Sequence, residues 1–282
     1  MSVTRSRMRA HAIEWHVAPT AEVDAGHRSH FLELQRRFNS ELCRHDALTH
    51  NVWLDRLESQ AIPQRELLAC VTQFGIFIRQ LVLARQQHAL RLTDHQPAPE
   101  LEGGVAVVVC FDAVGEPWCP SLPGMGIGDP YRLSERLHGW WTAWQRQFFA
   151  LGNKDWGLDA GWPVTKALCG RVEQYYNARD TSVCLGVLLA LENALSTDFW
   201  QRLTGSLTNQ CESENLALPD AGFFSEAETH ARLQARHGLY LLESASIHDL
   251  LDDTVFFQSA HRTLLLLAKF WAALGNAAMV RH

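Results

Sequence analysis

A single carboxylate interrupts the most apolar segment of the chain. The stretch VCLGVLLALENAL, residues 183–195, is largely apolar on every side of a helix and has Glu192 as its one charged residue. A lone carboxylate in such a place is strongly disfavoured unless it is paired, protonated or bound to a cation. Glu192 is therefore the first candidate for chemistry, and a buried salt bridge or a capping role is the alternative.

A second candidate is the segment SEAETHARLQARHGLYLL, residues 225–242, in which two histidines stand seven residues apart. At 100° per residue, Glu228, Arg232 and Arg236 share one face, which we expect to be solvated. The opposite face carries Glu226, His230, Gln234, His237 and Leu241. Two stacked inward histidines favour a polar site over hydrogen-bonded core residues.

A third candidate is the segment LSERLHGWWTAWQRQFFALG, residues 133–152, where Glu135 and His138 stand at i and i+3. This spacing projects both side chains from neighbouring positions on one helix, and Glu-x-x-His is a recurring metal-ligand pair in helix bundles. The aromatic residues around the pair, including Trp141, indicate that this helix is largely buried.

These three segments would send carboxylates and imidazoles from separate helices into one apolar interior. A dication offsets the carboxylate charge and uses the imidazole lone pairs, so a metal site in the bundle core is the simplest account. Oxygen and nitrogen donors without thiolate suit iron or manganese better than structural zinc. The seven cysteines are odd in number and contain no CxxC pair, so we expect reduced thiols.

The elements that must position these residues are predicted to be helices, because apolar residues recur at three- and four-residue spacing along most of the chain. Pro63 should open a long helix whose Leu67, Val71, Phe74, Ile78 and Leu81 form one core stripe. The other predicted helices are 30–43, 51–60, 131–151, 164–177, 181–195, 198–207, 225–242 and 259–274. A Gly/Pro-rich insertion at about 93–130 contains VAVVVCF, which reads as a strand or a buried helical turn.

Composition excludes several classes of function. The 282 residues are 47% apolar and carry a net charge of -6, which suits one domain and argues against a phosphate-backbone partner. No segment reaches the roughly 18 uninterrupted apolar residues of a membrane span, and the N-terminus has no apolar signal region. We expect a single cytoplasmic domain over 1–282, with 1–28 as an N-terminal extension, that binds neither nucleic acid nor membrane.

At these motifs the sequence resembles the haem-oxygenase-like diiron oxidases and oxygenases, a helical superfamily related to the thiaminase-like and PQQ-synthase-like proteins. The resemblance covers roughly residues 48–274 and implies an all-α, haem-oxygenase-like seven-helix bundle. It also implies Fe(II) as the cofactor, in one or two ions. The implied metal ligands are Glu135, His138, Glu192, His230 and His237.

Two positions depart from the family's pattern. Gln234 stands where the family has an acidic residue between the histidines, and Arg79 stands where an early helix carries a further Glu ligand. Because both changes remove negative charge, we expect the second iron site to be weak or absent. A competing alignment would put Asp112 in place of Glu135, and that choice stays open.

The resemblance implies an O2-dependent oxidase acting on a small amino acid, amine or carboxylic acid, by N-oxygenation, desaturation or oxidative C-C cleavage in a specialised biosynthetic pathway. The catalytic residues would be His138, His237 and Glu192. Arg79, Gln234 and Trp141 would bind the substrate, with Arg79 pairing with a carboxylate. The alternatives are a metal-free enzyme that uses histidine and arginine on an anionic substrate, and a noncatalytic accessory protein; a homodimer is also open.

Overall fold

Helices make up all the regular secondary structure that a computed structural model describes, over residues 25–94, 160–178, 180–196, 198–213, 221–247 and 250–277. The predicted all-α class is thus confirmed for this part of the chain, which contains no strand. The helices are α1 (Ala25–Arg37), α2 (Asp46–Thr49), α3 (Val52–Ser59), α4 (Gln64–Asp94), α5 (Pro163–Tyr176), α6 (Thr181–Ser196), α7 (Phe199–Ser213), α8 (Ala221–Ile247) and α9 (Asp253–Gly275). The predicted insertion at 93–130 and the predicted helix 131–151 lie outside the described residues, except for the end of α4.

Capping side chains decide where the helices begin. Pro63 directly precedes α4, as predicted, and its carbonyl accepts the amides of Glu66 and Leu67. The start of α9 was predicted at Ser259, but the helix begins at Asp253, because the Asp252 side chain caps it by accepting from the Val255 amide at 3.0 Å. The capping signal outweighs the apolar periodicity at that end.

The predicted helix 30–43 is present but not uniformly α-helical. Its last part, Phe38–Leu42, is a π-helical turn, in which the Cys43 amide donates to the Phe38 carbonyl five residues earlier at 3.2 Å. Such turns are rare and have no simple sequence signal. Phe38 and Leu42, the first and last residues of this turn, are both buried.

The core stripe predicted on α4 is confirmed, since all five of its side chains are at most 3% exposed. Phe74 lies at its centre and contacts rings from three other helices, Trp53 on α3, Phe199 on α7 and Trp271 on α9, at centroid distances of 5.3–6.1 Å. Trp53 and Trp271 stack at 6.2 Å. Burial of large rings in mutual contact is a major source of stability, so this aromatic cluster ties four helices together.

Helix α6 lies at the centre of the packing, and every residue in it except Val183 is buried. It packs mainly against α9 on one side and α8 on another. The approach to α9 is so close at Gly186 that an added Cβ would lie 2.5 Å from the Phe256 carbonyl oxygen and 3.0 Å from the Ser259 Cβ. Only glycine therefore fits at position 186 without a shift of the α9 backbone.

Among the described residues, no single helix is long and apolar enough to cross a membrane. Helices α6 and α7 reach the required length and composition only as a pair, and that pair is bent by 44° at its break.

We predict that Gly186→Ala destabilises the protein by about 1–3 kcal/mol, because the new methyl group overpacks the α6–α9 contact. Gly170→Ala is the matched control, since a Cβ there meets no atom within 4 Å and alanine favours the helix by about 0.5–1 kcal/mol. Urea unfolding followed by circular dichroism measures both variants. Equal stability of the two variants would show that α6 and α9 are not in close contact.

Candidate metal centre

Glu192 is 1% exposed, about one turn before the end of the buried helix α6, and its burial agrees with the sequence prediction. The neighbouring buried polar residues on this helix make local bonds: the Asn193 side chain donates to the Leu189 carbonyl at 3.1 Å, and Ser196 donates to the Asn193 carbonyl at 3.2 Å. Glu192 is the one Asp, Glu, Lys, Arg or His residue of α6. A carboxyl group is thus buried among the largely apolar side chains of α6.

The face of α6 that carries Glu192 packs against α8. An added Cβ on Gly238 would lie 2.7 Å from Cδ2 of Leu189 and 3.7 Å from Cδ2 of Leu188, so these leucines face α8. Residues three and four positions apart share one face of a helix, which places Glu192 on the same side. The carboxylate therefore belongs to the α6–α8 interface.

Helices α6 and α8 run in opposite directions. Phe224, near the start of α8, contacts Trp200, just beyond the end of α6, with ring centroids 6.2 Å apart. Beyond the end of α8, the Asp252 amide donates to the Ser182 hydroxyl at the start of α6 at 2.8 Å. Gly238 lies beside Leu188 and Leu189, and Glu192 comes three to four residues later in α6. Because the two helices are antiparallel, the equivalent point on α8 lies about one turn before Gly238, at about 1.5 Å per residue. Glu192 is therefore beside the part of α8 between positions 230 and 237.

The face of α8 that contacts α6 is made of small residues. Ala227, Ala231, Ala235 and Gly238 are buried and recur at three- and four-residue spacing. Positions 230, 234 and 237 each directly precede one of these residues and are displaced from them by about 100° around the helix axis. The face predicted to point inward, which carries positions 230, 234 and 237, therefore adjoins the packed face of α8. The side chains of His230, Gln234 and His237 are not among those described, so their inward direction stays a prediction.

The predicted solvated face of α8 is confirmed at Arg232. Arg232 is exposed, and its guanidinium lies 2.6 Å from the Glu228 carboxylate one turn earlier. This i, i+4 pair is a surface ion pair that adds little to stability.

Other predicted site residues fall elsewhere. Glu135, His138, Trp141 and the alternative ligand Asp112 lie outside the described residues. Arg79 is half-buried on α4, where its neighbour Gln80 donates to Glu173 of α5 at 3.3 Å. Within the described part of the chain, no three His, Cys, Asp or Glu side chains are grouped as a metal site would need.

Buried thiols do not compete for a metal. The five described cysteines, Cys43, Cys70, Cys169, Cys184 and Cys211, are free and buried, as predicted for reduced thiols. Burial raises the pKa of Cys70, Cys169 and Cys184 to about 12. Because the thiolate is the form that ligates a metal or attacks a substrate, these three residues are inert at neutral pH.

Sequence reasoning missed a polar relay that connects α1, α8 and α9. The Ser246 hydroxyl lies 3.1 Å from Nδ1 of His30, and Nε2 of His30 lies 3.0 Å from the Asp253 carboxylate. These residue types in this order occur at nucleophilic sites. Ser246 is only 1% exposed, however, so a substrate does not reach its hydroxyl, and the relay instead docks α1 on the bundle. More than 200 residues separate His30 from each of its two partners, so the relay leaves no local signal in the sequence.

A second buried carboxylate, Glu243, lies on α8 away from the face that meets α6. It is 7% exposed, and its Oε1 has no hydrogen-bond partner among the described residues. Burial raises the pKa of this carboxyl group above its ordinary value. Glu243 provides an internal comparison for Glu192, since the two are the buried glutamates of adjacent helices.

No family model, curated protein or solved structure matches the chain. The resemblance to haem-oxygenase-like oxidases therefore depends on the motif residues alone. The structure defines the coarser class, a helical protein with a buried carboxylate between two packed helices.

We predict that Glu243→Gln raises the free energy of unfolding, relative to that of the natural chain, by more at pH 7 than at pH 4. The folded carboxyl has a raised pKa, so its protonated form stabilises the fold, and that contribution is lost as pH rises through the folded pKa. Glutamine does not titrate. Urea midpoints of both proteins at the two pH values test this. A difference that does not change with pH would mean that Glu243 keeps its ordinary pKa.

Proposed function

We propose that the chain is a non-haem iron-dependent, O2-using oxidase or oxygenase acting on a small amino acid, amine or carboxylic acid. N-oxygenation, desaturation and oxidative C-C cleavage are the reactions that fit this class. The observation that carries the proposal is the position of Glu192, buried on the face of α6 that meets α8, level with the segment between His230 and His237.

The chemistry of the donor set supports iron. Carboxylate oxygen and imidazole nitrogen suit iron or manganese, and the buried thiols of the described helices stay neutral. A dication beside Glu192 would offset the cost of keeping its carboxylate ionised in an apolar interior. Glu192 thus fits the group that the resemblance implies.

In this proposal Glu135, His138 and His237 form the main ligand set, with Glu192 as a fourth ligand or a bridge and His230 at a second metal or in the outer shell. When bound, iron supplies open positions for dioxygen and substrate. The apolar side chains of α6 around Glu192 keep bulk water away and strengthen electrostatic interactions there. Arg79 would pair with a substrate carboxylate, and Gln234 and Trp141 would complete the substrate site.

Anaerobic titration with Fe(II) tests the proposal. We expect the natural chain to bind about one ion, and Glu192→Gln to bind on the order of tenfold more weakly or worse, because the amide lacks the negative charge of the ligand. Iron bound per chain is measured after desalting, and circular dichroism checks that each protein is folded.

Glu243→Gln is the control, since it removes a buried carboxylate from the adjacent helix and should leave the iron content unchanged. The proposal fails if the natural chain binds no iron or if Glu192→Gln binds it equally well. A rise in melting temperature with small carboxylic acids in the absence of iron would then favour the metal-free alternative.

A further inference from the structure

A corner of the fold depends on the uncharged form of one histidine. Between the π-helical turn and α2, Nδ1 of His45 accepts a hydrogen bond from the Ala47 amide at 3.1 Å. The His45 carbonyl accepts from the amides of Leu48 and Thr49 at 2.8 and 3.2 Å. His45 therefore caps the helix that carries the buried Ala47 and Leu48 against α6 and α9.

This bond fixes the proton on His45. Since Nδ1 accepts from the amide, the neutral ring carries its hydrogen on Nε2. A protonated imidazole has an N–H at both nitrogens and cannot accept a bond. Protonation of His45 would place an N–H on Nδ1 against the N–H of Ala47, which breaks this hydrogen bond and removes the cap.

Charges around the ring also oppose protonation. The His261 ring of α9 lies 6.0 Å from His45, centroid to centroid. Burial of the ring and then His261 lower the pKa of His45 below its ordinary value, and Asp46 acts against them. Glu41 lies 3.5 Å from His261 and also binds Arg37, so its charge is shared.

A further imidazole at the corner is His50, whose Nδ1 lies 3.6 Å from the Asp46 carboxylate and 2.9 Å from the Thr49 hydroxyl oxygen. Helix α6, which packs on the other side of α2, contributes Glu192 and the thiol of Cys184, whose pKa burial raises to about 12. The balance of these groups leaves the neutral ring as the form that fits the corner.

We propose that His45 is an acid-sensitive cap, whose protonation opens α2 and the corner joining α1 to α3 at mildly acidic pH. Opening removes α2 from the surfaces of α6 and α9, and so uncovers part of the helix that carries Glu192. This inference does not depend on iron binding.

The direction of the pH dependence follows from linkage. Because the pKa of His45 is lowered in the folded corner, the open state binds more protons than the closed one below pH 6.5. The opening constant should rise by up to about tenfold per pH unit from there down to the lowered pKa, and should be level above pH 6.5.

Hydrogen–deuterium exchange over residues 43–54 at pH 5–8, corrected for the intrinsic exchange rate, measures this opening. We expect the amides of Leu48, Thr49 and His50 to lose protection as the pH falls in the natural chain. In His45→Asn they should keep it, because asparagine caps a helix without titrating. His50→Asn, a change at an exposed ring, should behave like the natural chain.

Protection that falls equally in His45→Asn and in the natural chain would overturn the proposal. An NMR titration of His45 in the natural chain decides independently of any variant: a pKa at or above 6.5 would overturn it, and a lower pKa would support it.

Discussion

The enclosure of α6, whose residues are all buried except Val183, is the constraint on which the other helices depend. A helix with no solvent-facing side must be covered on every side, and α8 and α9 cover it at close range because Gly238 and Gly186 leave room for their neighbours. Close packing also fixes the position of each helix along its axis relative to its neighbours, since protein interiors are packed as densely as crystals and do not deform continuously. Packing therefore determines that Glu192 lies beside positions 230–237 of α8.

Two buried glutamines connect this packing to the segments between helices. Gln210 on α7 accepts from the Ile62 amide at 3.0 Å and donates to the Leu57 and Gln60 carbonyls, which hold the α3–α4 connection. Gln73 on α4 accepts from the Trp162 amide at 2.7 Å and donates to the Ala160 carbonyl ahead of α5. Each amide side chain satisfies backbone groups of a connection from a buried position on a helix, and so fixes the connection to the bundle.

The sequence predicts those features that depend on local periodicity and misses those that depend on long-range contact. The α4 stripe, the role of Pro63 and the burial of Glu192 follow from spacing and polarity alone. The sequence predicts that helix α7 ends at Leu207, but the helix runs to Ser213. The predicted end is too early because the polar Gln210 breaks the apolar pattern, although its side chain is buried. The packed face of α8 was missed because alanine and glycine carry a weak hydrophobic signal, although their small size is what allows close approach to α6.

The two buried glutamates show why burial alone does not define a site. Glu243 is shifted toward its neutral form by burial, at a position away from the α6–α8 interface. Glu192 has the same residue type and deeper burial, but it lies on the face that meets the helix carrying both predicted histidine ligands. A neutral carboxyl group would suit the surroundings of Glu243. Glu192 instead lies at the same height along the helix axis as the segment of α8 that carries the predicted ligands His230 and His237. The geometry of two packed helices, more than the low polarity of the interior, is thus what gives Glu192 its candidate role.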